Sequence, residues 1–166
     1  MSKNENNSPQ ELAIRPAAEQ DAPILLSLIK ELAVFEKLAD KVFNSEDAVR
    51  ETLFGPKAYA EAEIAYWDDE PAGMVIFFHN YSTFLGKPGL YIEDLFVREK
   101  FRGRGIGKVL FLECARLAKE RNCGRMEWVV LDWNPARVFY EKMGAYPLTE
   151  WVIYRMDEDA LQDINP

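Results

Sequence analysis

The chain has 166 residues, 48% of them hydrophobic and 13% aromatic, which suits one domain with a packed core and excludes a disordered polymer. The 28 acidic residues against 20 basic ones leave a net charge of -8, which argues against a nucleic-acid partner and favours a cationic one. One histidine, His79, and two cysteines, Cys114 and Cys123, outside any CxxC leave too few ligands for a usual zinc site and weigh against a Ser-His-Asp hydrolase.

Residues 1–11 are polar and read as a loose tail rather than a secretory leader, leaving 12–160 as a single domain. No apolar run is long enough for a membrane span, and the sparse cysteines fit a reduced, cytoplasmic setting. Leu12–Arg15 predicts a short strand stopped by Pro16. Asp21 is placed to cap a helix with Pro23 in its first turn, and Ile24, Leu25, Leu28, Ile29, Leu32 and Phe35 recur at helical spacing. Asn44 or Ser45 starts a second helix that carries Ala48, Val49 and Leu53 and ends before Gly55.

The period then changes. Ala60–Trp67 and Gly73–Tyr81 flank the turn at 68–71 and predict a hairpin, and Leu90–Val97 predicts the next strand after the loop at 86–89. A helix follows with the stripe Ile106, Val109, Leu110, Cys114 and Leu117. Met126–Leu131 is a further strand, Asn134 and Pro135 open a short helix that Gly144 stops, and Trp151–Met156 predicts a last strand. This order predicts an α/β domain with a mixed sheet.

The turn between the third long strand and its helix is Arg102-Gly103-Arg104-Gly105-Ile106-Gly107. The first amides of a helix lack internal partners, the helix dipole adds positive charge there, and glycines let a ligand approach. Arg102, Arg104 and Lys108 add three cations, so the turn reads as an anion site. It is not a Walker A loop, because Arg102 and Val109 stand where Gly and Ser or Thr are needed. Its glycines also miss the spacing of a dinucleotide fingerprint.

Arg102, Gly105 and Gly107 fit R-x-x-G-x-G after the apolar triplet Leu95-Phe96-Val97, and here the sequence resembles the GNAT superfamily of acetyltransferases. The resemblance implies a central, mostly antiparallel sheet flanked by helices, with acetyl-CoA as co-substrate and no metal. It implies that the backbone of Leu95, Phe96 and Val97 meets the acetyl group and pantetheine. The amides of Gly103, Arg104, Gly105, Ile106, Gly107 and Lys108 would hold the pyrophosphate. Asn134 through Ala145 resembles the next family motif, in which Tyr140 is the general acid near the sulfur. A phenol, with a pKa near 10, is protonated at neutral pH and can donate to a departing thiolate. The spacing from Asn134 to Tyr140 is one residue shorter than the commoner pattern.

Ile14–Ala17, Leu28–Ala33, Phe35-Glu36, Tyr91–Asp94 and Leu131–Asn134 extend the resemblance to the spermidine/spermine N-acetyltransferase branch. Where polyamine enzymes carry an Asp and a Trp this chain has Ser82 and Phe84, and Ser82-Thr83 at this place is more like the thialysine N-epsilon-acetyltransferase type. The resemblance places Phe35, Glu36, Ser82, Thr83, Glu93, Glu127, Trp128 and Glu150 at the amine site and implies a homodimer. An alkyl ammonium costs about 4.6 kcal/mol to deprotonate at pH 7, so a base is required. Glu93 is the candidate, and strict alternation sets it with Leu95 on one face, opposite Asp94 and Phe96. The expected reaction is direct transfer to a small cationic amine in a ternary complex. The alternatives are a polyamine, an antibiotic amine or a protein N-terminus as acceptor, a non-catalytic acyl-CoA sensor, and an interaction module with a decayed site.

Overall fold

The period-two segments form one sheet, in the order β1 (Leu12–Pro16), β2 (Glu61–Trp67), β3 (Glu70–Ser82), β4 (Lys87–Val97) and β5 (Arg125–Trp128). The first four are antiparallel neighbours, and β5 runs parallel to β4. The computed structural model describes residues 11–164 and divides into two compact units, one ending at Val129 and one beginning at Val130. The predicted tail lies outside the described residues, apart from Glu11, whose amide donates to Asp68 Oδ1 at 2.9 Å.

Helix α1 (Ala22–Phe35) turns Leu25, Leu28 and Leu32 onto Ile64, Met74, Ile76 and Phe96 of the sheet. Each such side chain contributes about 1.5–3 kcal/mol on burial. Asp21 stands at the N-cap position of this helix as predicted, but its side chain makes no capping bond there. Its buried carboxylate accepts from the Arg15 guanidinium at 2.8 and 3.0 Å and from the Ala18 amide at 2.8 Å. The arginine holds it below the usual carboxylate range. Ser45 caps α2 (Glu46–Val49) by accepting from the Ala48 amide at 3.2 Å, and a wide π-helical turn, Arg50–Phe54, completes the predicted helix before Gly55.

Helix α3 (Ile106–Glu120) packs on β2, β3, β4 and β5 and buries Ile106, Leu110, Cys114 and Leu117, the stripe predicted for it without Val109, which is exposed. Burial pushes the Cys114 thiol up to about 12. No helix among the described residues is long and apolar enough to cross a membrane.

The second unit holds α4 (Ala136–Lys142) and α5 (Glu158–Gln162). The predicted strand at Trp151–Met156 is not formed: its apolar residues have strand propensity, but no strand supplies a ladder for their backbone groups. The strand predicted at Met126–Leu131 begins one residue earlier and ends at Trp128.

Candidate active site

The centre of the site is an irregularity in β4. Ile76 pairs with Asp94 and Phe77 with Ile92, so Glu93 faces no residue of β3 and forms a β-bulge. Strict alternation therefore fails here, and the opposed faces expected for Glu93 and Asp94 are corrected. Beyond the bulge, Asp94 shares a face with Ile76, Met74 and Phe96, which pack under α1. Glu93 itself is exposed. Burial, then the charges of Glu93 and Glu36, push the Asp94 carboxyl up to about 6. Glu36, at the end of α1, is also raised, by burial.

The bulge also marks where β4 loses a neighbour. The β4–β5 ladder covers Gly89 to Ile92 and stops at the Ile92–Trp128 pair. From Leu95 to Val97, β4 is paired only with Val75, Met74 and Gly73 of β3. The other edge of Leu95-Phe96-Val97 has no partner strand among the described residues, which leaves backbone donors and acceptors there for a ligand.

Val97 leads through a short 3-10 turn at Glu99–Phe101 into the glycine turn. Gly103 and Gly105 have φ of 76° and 81°, in the left-handed region that a side chain disfavours. Nothing lies within 4 Å of a Cβ built on either, so the turn is open above them. Gly105 stands before α3 without a side-chain cap, and its carbonyl accepts from the Val109 amide at 3.1 Å. The amides of Ile106, Gly107 and Lys108 precede the first helical bond and suit the oxygens of a diphosphate. Gly107 differs, because a Cβ there would make ordinary contacts at 3.6 Å to Val97 and 3.8 Å to Leu95.

The three cations of the turn are used differently. Arg102 stacks on Phe35 at 4.5 Å and donates from Nε to the Val97 carbonyl at 3.0 Å. Arg104 lies 5.0 Å from the Trp67 ring. Lys108 is exposed.

Phe35, Glu36, Ser82, Thr83, Glu93, Glu127 and Trp128 all lie in the first unit with the glycine turn, but Ser82, Thr83 and Trp128 are engaged elsewhere in the fold. Ser82 is a buried turn residue whose hydroxyl accepts from the Leu85 amide at 3.2 Å, with exposed Thr83 beside it at the hairpin tip. Ser82 pairs with Lys87, and β4 runs about 20 Å from there to Glu93. Trp128 packs edge-on against Phe111 of α3, with ring centroids 5.4 Å apart, whereas Glu127 before it points the other way. Asn80, which the sequence did not single out, donates to Glu127 Oε2 at 2.8 Å. Its signal lies in register, not in local sequence.

In the second unit, Asn134 Oδ1 accepts from the Ala136 amide at 2.9 Å and shapes the start of α4. Tyr140 is half-buried on α4 beside Phe139, ring centroids 5.3 Å apart, and Glu150 is exposed. His79, read as structural, lies 3.5 Å from Arg121 Nη1, which also donates to Glu61.

A mixed sheet flanked by helices, with a glycine turn after β4 and a parallel last pair, is the architecture of an acyltransferase. The chain belongs to the acetyltransferase (GNAT) family, whose model matches residues 29–145. It is 36% identical to a thialysine N-epsilon-acetyltransferase of Bos taurus, over 91% of this chain and 95% of that one. It is 32% identical to an L-ornithine N5-acetyltransferase of Arabidopsis thaliana, over 92% of this chain and 87% of that one. An integron cassette protein from the mobile metagenome of V. cholerae superposes with a TM-score of 0.77 at 26% identity, covering 91% of this chain and 95% of that one.

Proposed function

We propose that this protein transfers the acetyl group of acetyl-CoA to the side-chain amine of a small amino acid of the thialysine or lysine type. The observation that carries the reading is the bulge at Glu93, which sets two acids beside the point where β4 loses its neighbour. The amides from Gly103 to Lys108 hold the diphosphate, with Lys108 adding charge. The open edge of Leu95-Phe96-Val97 lies along the pantetheine, and its amides polarise the thioester carbonyl. Glu93, exposed to water, takes the proton of the ammonium through a water molecule, and Glu36 and Asp94 hold the cation in place. Tyr140, placed by the family motif, returns a proton to the departing thiolate. Transfer is direct in a ternary complex, since Cys114, buried and with its thiol pushed up to about 12, is a poor nucleophile. The names of the bovine and plant relatives support an amino-acid acceptor. A polyamine is the second reading, favoured by the three carboxylates Glu36, Glu93 and Asp94 gathered at one place. The resemblance to that branch also supports a homodimer, and the sparse cysteines support a cytoplasmic setting.

The test is CoA thiol release with acetyl-CoA and thialysine, lysine, ornithine, spermidine, spermine and an amine-free blank. Release with the amino acids above that with polyamines is expected. A polyamine preference favours the second reading, and no release with any amine despite acetyl-CoA binding favours a sensor.

A further inference from the structure

Beyond the hairpin tip, the sheet face shared with Asp94 carries a charged pair that the acetyl-transfer steps leave unused. Glu127 Oε2 accepts from Asn80 Nδ2 at 2.8 Å and forms an ion pair with Arg125 Nε at 2.9 Å. Both contacts fall on one oxygen. No hydrogen bond engages Glu127 Oε1 or the two Nη groups of Arg125 among the described residues. The pair therefore presents one acceptor and a donor fork side by side.

Its placement follows from register. Gly89 pairs with Arg125 and Tyr91 with Glu127 on one side, and with Asn80 and Phe78 on the other. These residues share a face of the sheet by alternation. A Cβ at Gly89 would come within 2.2 Å of Asn80 Oδ1 and 3.2 Å of Arg125 Cγ, so a glycine is what lets both side chains lie across β4. The Phe78 and Tyr91 rings, 5.0 Å apart, form an apolar floor beside them. Glu93 stands about 6–7 Å farther along β4 than Tyr91.

Resting on the function proposed above, we infer that Arg125 and Glu127 form a clamp for the zwitterionic head of the amino-acid acceptor. The Arg125 fork takes the α-carboxylate, a geometry that suits guanidinium better than ammonium. Glu127 Oε1 takes the α-ammonium, with Asn80 fixing the carboxylate plane. The methylene chain crosses the Phe78–Tyr91 floor. A lysine-length side chain spans about 6 Å from α-carbon to amine, which brings the reacting nitrogen to Glu93. A polyamine has no carboxylate and leaves the fork empty, so the clamp selects amino acids.

The test is calorimetric binding of L-lysine, cadaverine (no carboxylate) and Nα-acetyl-L-lysine (no α-ammonium) to the intact protein with CoA present, alongside thiol release. Lysine is expected to bind about 10- to 100-fold more tightly than either analogue. Arg125→Gln should remove the advantage over cadaverine and leave cadaverine itself unchanged. Glu127→Gln should remove the advantage over Nα-acetyl-lysine. Arg125→Lys, which keeps the charge without the fork, should fall between. Equal binding of lysine and cadaverine by the wild type, or an Arg125→Gln variant that keeps its preference, overturns the clamp whether or not acetyl transfer is seen. Clamp-dependent lysine binding without thiol release upholds the clamp and counts against the transferase reading alone. Arg125 is exposed on an edge strand, so its replacement leaves the core intact, and unchanged thermal unfolding verifies that.

Discussion

The Arg102 guanidinium lies 4.5 Å from the Phe35 ring and 5.7 Å from Phe96, and its Nε donates to the Val97 carbonyl. The first arginine of the glycine turn is thus directed at the end of α1, where Glu36 also sits. The element proposed to grip the cofactor and the element proposed to line the acceptor share a contact. Replacing Phe35 with Leu keeps apolar volume and removes the cation–π contact. It should weaken both acetyl-CoA and amine binding about 2- to 5-fold. Calorimetry with each ligand alone reads this, and a change confined to the amine would show that the contact does not reach the turn.

Gly105 has a φ of 81°, and a β-branched residue is strained there by about 1–3 kcal/mol. Gly105→Val should lower the melting temperature and weaken acetyl-CoA binding at least about 10-fold, because the amides of the turn move with the backbone. Retention of full affinity would remove this turn from the pyrophosphate role.

Asp94 binds its proton more tightly in the folded chain than in the unfolded one, with a folded value of about 6, mainly through burial. The sign follows: the unfolded state carries fewer protons between about pH 4 and 6, so stability from this group falls as pH rises through that window. The loss is on the order of 3 kcal/mol above pH 6. Asp94→Asn should therefore stabilise the protein at pH 8 and change little at pH 4. Denaturant unfolding at the two pH values measures this effect.

Tyr140→Phe removes the phenol and preserves the ring beside Phe139. The expected result is a kcat lower by about 10²- to 10⁴-fold with acetyl-CoA affinity unchanged. Undiminished turnover would transfer the acid role to another group or to water.

The strands and helices of the first unit follow the period of their apolar residues closely, because each is amphipathic and has a neighbour to pack on. The glycine turn was equally legible, since φ values of 76° and 81° require the residues found at 103 and 105. The bulge at Glu93 was not, because reading by twos assumes that every residue has a partner across the ladder. Asn80 and Arg125 were missed for a related reason: Glu127 joins them through strand pairing, and nothing local in the sequence announces it. Ser82 was read as a substrate contact, although its hydroxyl is used by the hairpin turn. Trp151–Met156 has the composition of a strand, and composition cannot supply a partner.

Because Glu93 has no counterpart on β3, β4 behaves as two strands spliced end to end. The upstream half is in register with Phe77–Ser82 of β3, and the downstream half, one residue out of step, with Gly73–Ile76. Substitutions near the hairpin can reshape the acceptor end without shifting the phase of Leu95–Val97. If the proposed function holds, a lineage built on this splice is free to change the amine it accepts while leaving the grip on its acyl donor untouched.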